Sequence, residues 1–124
     1  MPERGRRAMG YRLSVCIPNY NRPGRLERLV RGFAGQIVQG GMEREVEICI
    51  RDDCSPASPS AIIENIKREF PGAAILYERN RQNMGMDYNF LHSVRMAGGR
   101  YVWIVGNDDM RESGALRKIM GITG

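Results

Sequence analysis

The feature that most narrows the fold of this chain is an alternation: short apolar runs of strand formers, separated by segments whose apolar residues recur at helical spacing. Leu13 to Ile17 is the first run, closed by Pro18. Leu26, Leu29, Val30, Phe33 and Ile37 then repeat every three or four residues, and Gly40-Gly41 ends that helix. Val46 to Ile50 reads as a second strand. Ser58-Pro59 predicts a helix start, with serine as cap, proline in the first turn, and Ile62, Ile63, Ile66 and Phe70 on the apolar face. Ala73 to Tyr77 is a third strand. Asp87 is expected to cap a third helix that carries Phe90, Leu91 and Val94 inward and stops at Gly98-Gly99. Tyr101 to Val105 is a fourth, continuously apolar strand, and Ser113 opens a last helix through Leu116, Ile119 and Met120.

Strands that alternate with helices in this way predict an α/β fold: a mostly parallel sheet of about four core strands with helices on both faces. With 124 residues the chain is expected to form one domain over residues 12–124 behind a basic tail at 1–11, large enough to bury a core without disulfide or metal staples. Cys16, Cys49 and Cys54 match neither a zinc ribbon nor a C-x-x-C pair, so they are read as reduced thiols that pack as small hydrophobes. No apolar run approaches the roughly 20 residues of a membrane helix, and the tail lacks the apolar segment of a signal peptide; a cytoplasmic location is expected. The net charge is +5, and arginine supplies 17 of the 19 basic residues. These are scattered rather than gathered into a stripe, which argues against a nucleic-acid partner and suits phosphorylated ligands or an anionic membrane surface.

In a parallel sheet every strand ends on the same edge, so the segments that follow the four strands converge. They contain Pro18-Asn19-Tyr20-Asn21, Asp52-Asp53, Arg79 to Gly85, and Gly106-Asn107-Asp108-Asp109, and with them four of the five aspartates. Ligands of open α/β sheets bind at this edge. Neither G-x-G-x-x-G nor a P-loop is present. Tyr20 offers a flat surface for a planar base, flanked by the Asn19 and Asn21 amides; a purely structural turn is the competing reading. Asp52 and Asp53 can accept from a base N–H or a ribose hydroxyl, or cap the next helix. Asp108 and Asp109 suit a hard divalent cation, Mg²⁺ or Mn²⁺, that shares a substrate diphosphate. Arg79, Arg81 and Asn83 lie on the same edge. His92 is expected to be structural, and Met84 and Met86 to pack or to serve as adaptable contacts at the ligand edge.

Taken in order, LSVCIPNYNRPGRL, VEICIRDDCSPAS and YERNRQNMGMDYNFLHSVRMAGGRYVWIVGNDDM resemble the family 2 glycosyltransferases, which have the GT-A fold. The wording of the third stretch is especially similar to the abequosyltransferase-like branch of surface-polysaccharide assembly. The resemblance implies transfer of a sugar from a nucleotide-diphospho-sugar to a saccharide or lipid-linked acceptor, metal-assisted and inverting. It implies a nucleotide-binding set of Pro18, Tyr20, Asn21, Asp52, Asp53, Arg81, Asn83 and Asp108, with Pro18, Tyr20 and Asp53 on the base and Asp52 or Asp108 towards the ribose. Asp109, helped by Asp108, would hold the metal, because Gly106 stands where many relatives carry the first aspartate of D-x-D. Asn19 and Cys54 replace the family's usual small or turn-forming residues. The family's acceptor half and catalytic base are expected beyond Gly124, so the chain reads as a donor-binding half, with a non-catalytic nucleotide-sugar-binding or assembly module as the alternative. Peripheral association with the inner membrane face is compatible with such an acceptor, and self-association is left open.

Overall fold

A computed structural model of the chain describes residues 10–105 and 115–123. In chain order these form β1 (Leu13–Asn19), α1 (Pro23–Gln39), β2 (Val46–Asp52), α2 (Ser60–Glu69), β3 (Ala74–Arg79), α3 (Met86–Arg95), β4 (Tyr101–Ile104) and α4 (Ala115–Thr123). The strands make one sheet in the order β3-β2-β1-β4, every neighbouring pair parallel. The expected α/β architecture with helices on both faces is therefore what the chain adopts.

The two-residue period of the strands divides the core. Leu13, Val15 and Ile17 of β1 with Val46, Ile48 and Ile50 of β2 face α1, α2 and α4, where Leu26, Phe33, Ile37, Ile63, Ile66 and Leu116 complete the larger cluster. Phe33 meets Trp103 of β4 edge-on, with centroids 5.3 Å apart. The intervening residues Cys16 and Cys49 form the smaller cluster with Met96 and Ala97 on the opposite face. Both thiols are buried and neither is in a disulfide; nor is Cys54, half-buried in a turn.

Helix α1 begins on Pro23, whose fixed φ suits the first turn and whose missing N–H costs nothing there. It ends where the sequence places it. Gly41 takes a φ of +67, the Met42 amide donates to the Ile37 carbonyl at 2.8 Å, and the Gly41 amide donates to the Val38 carbonyl at 3.3 Å. This is a Schellman closure that satisfies the last carbonyls of the helix and turns Met42 back onto the core. Helix α2 starts at Ser60 with Pro59 as its cap residue, one position later than the expected cap at Ser58. The Ser58 hydroxyl still accepts the Ser60 amide, at 3.3 Å.

Helix α3 departs most from expectation. Phe90 and Leu91, expected inside, are 49% and 48% exposed, and the buried side chains are Asn89 and Ser93. The reason is what lies beneath. At the carboxyl end of the sheet Asn89 Nδ2 donates to the carbonyl of Arg51 at 3.0 Å and to that of Asn19, which also accepts the Asp53 amide, at 3.4 Å, while Asn89 Oδ1 accepts Asn80 Nδ2 at 3.1 Å. A polar side chain that finds partners for both its donor and its acceptor can be buried here in place of an apolar one. Nor does Asp87 cap this helix. The cap residue is Gly85, at φ +95, and Asp87 sits in the first turn, where a carboxylate favours the positive end of the helix dipole. In β4, Tyr101 and Val102 are exposed because the strand forms one edge of the described sheet.

Candidate functional site

A cleft of about 880 Å³ opens over the carboxyl ends of β1 and β4. Pro18 and Tyr20 from the end of β1, Arg22 and Arg25 at the start of α1, and Asp53 after β2 line one part of it. Met86, Asn89 and Phe90 of α3, with Ile104 and Val105 at the end of β4, line the rest. The floor is apolar and the tyrosine ring is 45% exposed at the mouth, which is the chemistry a planar heterocycle needs for stacking.

The turn after β1 is built around Asp52. Its carboxylate is fully buried; it accepts Asn19 Nδ2 at 2.9 Å, the Ser55 amide at 2.9 Å and the Ser55 hydroxyl at 2.6 Å, with Arg79 Nε at 3.4 Å. The Ser55 hydroxyl in turn accepts the Asn21 amide at 2.7 Å, which holds Asn21 at a φ of +52, a backbone conformation that asparagine tolerates. Asp52 thus ties the turn that presents Tyr20 to the segment that carries Asp53.

Asp53 is 3% exposed and lies at the inner wall of the cleft. Its Oδ1 accepts Asn80 Nδ2 at 2.9 Å and the Met84 amide at 2.7 Å, and its Oδ2 accepts the Gly85 amide at 3.0 Å. A carboxylate from β2 therefore supplies the negative charge at the amino end of α3 that the sequence assigns to Asp87. Next to it Cys54 stands at a φ of +59, a left-handed conformation that glycine or asparagine adopts more readily. Cys54 Sγ reaches the Arg81 carbonyl at 3.5 Å.

Of the residues expected at the site, Pro18, Tyr20 and Asp53 share the cleft wall, and Asn21 lies on the exposed turn beside it. Asp52 lies beneath the wall, with its oxygens committed to the fold. Asn83 is exposed and its Oδ1 accepts the Gly85 amide at 3.1 Å. Arg81 lines a separate groove with Arg51, Arg79 and Tyr88. Asp108 and Asp109 lie outside the described residues, and Val105, from which the chain runs towards them, is on the cleft wall. Among the described residues no three His, Cys, Asp or Glu side chains gather in a way that could hold a metal ion.

Sequence reasoning missed Arg22, Arg25, Asn89 and Phe90. A signal for the last two was present: an asparagine and a serine, Asn89 and Ser93, stand four residues apart in an otherwise amphipathic helix, which marks a polar stripe facing inward and pushes Phe90 to the flank. Met86, offered as packing or as a ligand-edge contact, is 86% exposed and lines the cleft. His92 stacks on Tyr88 with centroids 3.9 Å apart. Its pKa is lowered by partial burial and by the charges of Arg51 and Arg95, with Glu78 acting in the opposite direction.

A family model described as glycosyl transferase family 2 matches residues 14–122. An abequosyltransferase of Salmonella typhimurium is 39% identical over 97 residues, 78% of this chain and 28% of that protein. A Campylobacter jejuni enzyme named as a GalNAc(5)-diNAcBac-PP-undecaprenol beta-1,3-glucosyltransferase is 26% identical over 109 residues, 88% of this chain and 33% of its own. The chain thus spans about three-tenths of the length of these relatives. Among solved structures, a mannosyltransferase of Pyrobaculum calidifontis, in complex with GDP-Man and Mn²⁺, superposes with a TM-score of 0.59 at 17% identity, covering 69% of this chain and 24% of that one. This last likeness concerns the fold.

Proposed function

The chain belongs to glycosyl transferase family 2, and on that premise we propose that its cleft holds the nucleotide of a nucleotide-diphospho-sugar, as the donor-binding part of an enzyme of surface-polysaccharide synthesis. The observation that carries this reading is the convergence of Tyr20, Asp53, Arg22 and Arg25 on one cleft, with the end of β4 on its wall. The exposed Tyr20 ring would stack the base against the apolar floor formed with Pro18. Asp53, held rigid by its three donors, would take a base N–H on its remaining lone pairs. Arg22 and Arg25 would meet the diphosphate, guanidinium forks being matched to phosphate oxygens. Asp52 acts one layer back, as a positioning residue for both the Tyr20 turn and Asp53, and Asn21 and Asn83 hold the loops on either side.

The GDP-Man and Mn²⁺ of the Pyrobaculum structure favour a divalent cation here too, Mg²⁺ or Mn²⁺. By donor chemistry it would rest on Asp109 and Asp108, adjacent carboxylates that suit a hard cation completed by water and diphosphate oxygens. When bound, such a cation neutralises charge on a departing diphosphate. The sugar would pass with inversion to a saccharide or lipid-linked acceptor. A lipid-linked acceptor would bring the chain to a membrane surface peripherally, in keeping with its net charge of +5. Among the described residues no helix is long and apolar enough to cross a membrane.

Calorimetry with UDP, CDP and GDP, each with and without Mn²⁺, tests the proposal. One of the three is expected to bind in a metal-dependent way. Asp109→Ala should abolish the metal dependence, and Tyr20→Ala should weaken binding about tenfold, the loss of one stacking contact. Absence of binding to all three nucleotides would overturn it. A donor-hydrolysis assay on the same protein then separates an enzyme part from a binding module.

A further inference from the structure

On the far side of the 80–85 loop from the cleft lies a groove of about 490 Å³ that shares no lining residue with it. Arg51, Arg79 and Arg81 all line this groove, together with Asn80, Gln82 and Tyr88, and no carboxylate does. We propose that it is a second ligand site, for a phosphate- or pyrophosphate-bearing group, distinct from the nucleotide cleft.

Three observations carry this. The first is pre-organisation. Arg51 keeps 15% of its side-chain surface exposed and is held by Asn80 Oδ1, which accepts its Nε at 2.7 Å, and by Glu78, which pairs with its Nη1. Arg79 is held by the Ser55 carbonyl at 2.6 Å and by Asp52. Neither side chain must lose much freedom to grip an anion, while each guanidinium keeps N–H donors beyond those already used. The second is Arg81, an exposed guanidinium with no hydrogen-bond or ion-pair partner for its side chain among the described residues, standing at the rim beside the two fixed ones. The third is the surplus of charge. Glu78 and the buried Asp52 offset two of the three arginines, which leaves the charge of Arg81 in surplus at the groove.

One side chain joins groove and cleft. Asn80 accepts from Arg51 with its oxygen and donates to Asp53 Oδ1 at 2.9 Å and to Asn89 Oδ1 at 3.1 Å with its nitrogen. Asn80 thus links Arg51 to the cleft wall, and its side-chain amide is a built-in reporter of occupancy.

The chemistry has two sources, a soluble anion or the headgroup of a phosphorylated lipid, and the experiment separates them. Sodium pyrophosphate is titrated into the ¹⁵N-labelled chain in EDTA at constant ionic strength, with sodium sulfate as the control. In parallel, phosphatidylcholine vesicles with and without phosphatidic acid are tested by co-sedimentation. Saturable shifts at Asn80, Arg81 and Gln82, weakened about tenfold in Arg81→Gln and unaltered in Tyr20→Ala, support a soluble ligand. Co-sedimentation that needs both phosphatidic acid and Arg81 supports the lipid source. Among the described residues no hydrogen bond or ion pair of the fold uses the Arg81 side chain, so the substitution leaves a well-dispersed spectrum. Binding of either probe that ignores Arg81→Gln, binding of neither, or shifts confined to Tyr20 and Asp53 would overturn the proposal. None of these outcomes depends on whether a nucleotide binds the cleft.

Discussion

Asp53 and Gly85 are 32 residues apart in sequence, yet the Gly85 amide donates to Asp53 Oδ2 at 3.0 Å, while the neighbouring Met84 amide donates to Oδ1 at 2.7 Å. One carboxylate at the end of β2 thereby fixes the loop that leads into α3 and sets the helix that forms one wall of the cleft. The first prediction follows from this clamp.

Asp53→Ala is expected to lower the unfolding free energy by about 1–3 kcal/mol, because buried donors lose a charged acceptor. In hydrogen exchange the Met84 and Gly85 amides should lose protection first, with β1 and β2 unaffected. Asp53→Asn, which keeps one carbonyl oxygen, should fall between the two. Unchanged protection at Met84 and Gly85 in the alanine variant would count against the clamp.

A second polar tie closes the opposite end of the sheet. The buried Glu47 carboxylate accepts the Ser14 hydroxyl and the Gly98 amide, both at 2.6 Å, and the Gly99 amide donates to Ser14 Oγ at 2.8 Å. A Cβ at Gly99 would stand 2.6 Å from Ser14 Oγ and 2.8 Å from the Leu13 backbone. Gly99→Ala should therefore destabilise the chain by about 1–3 kcal/mol, the usual range for overpacking. Gly121→Ala, where nothing lies within 4 Å of the added atom, should be neutral or slightly stabilising in the same urea titration.

His92 should titrate below 6.5. Partial burial is the main cause, followed by repulsion from Arg51 and Arg95. Since the folded chain holds this proton less tightly than the unfolded one, the stabilising contribution is present above the ordinary histidine pKa and is lost as pH falls below it and through the lower folded pKa. An NMR titration of the imidazole should place the midpoint below that of a histidine peptide, and Arg95→Gln should move it upwards. A midpoint that does not respond would remove the assigned repulsion.

Tyr77 lies on the α2 side of the sheet, and burial raises its pKa above 10. The Ser58 side chain acts in the opposite direction, yet no hydrogen bond of normal geometry joins the two, and the buried Tyr77 hydroxyl has no hydrogen-bond partner among the described residues. The folded state therefore favours the neutral phenol. Its contribution is fully present below pH 10 and declines as pH rises above that value. Tyr77→Phe should leave stability at neutral pH unchanged or raise it by up to about 1 kcal/mol, and should remove a phenol that titrates above 10 from the ultraviolet pH profile.

Most of the architecture was legible in the chain itself, because it rests on periodicities that any short stretch reveals. Strand runs such as Val46 to Ile50 need only a period of two, helix faces such as Leu26 to Ile37 a period of 3.6, and Gly40-Gly41 announces the Schellman closure. The convergence of Pro18, Tyr20 and Asp53 on one edge also follows from sequence order, since parallel strands all end on the same side.

What only the tertiary structure decided is which polar group satisfies which. Asp52 and Asp53 are neighbours of one residue type, yet one is sealed beneath the turn by Asn19 and Ser55 and the other clamps Met84 and Gly85 at the cleft wall. Asn89 faces inward because its amide finds partners in the Arg51 and Asn19 carbonyls and in Asn80, which sends Phe90 to the flank. Arg81 lines a groove separate from the cleft. Hydropathy reports how much a residue gains by leaving water, but a buried hydrogen bond depends on where its partner stands, often more than thirty residues away, and that information exists only once the sheet has closed.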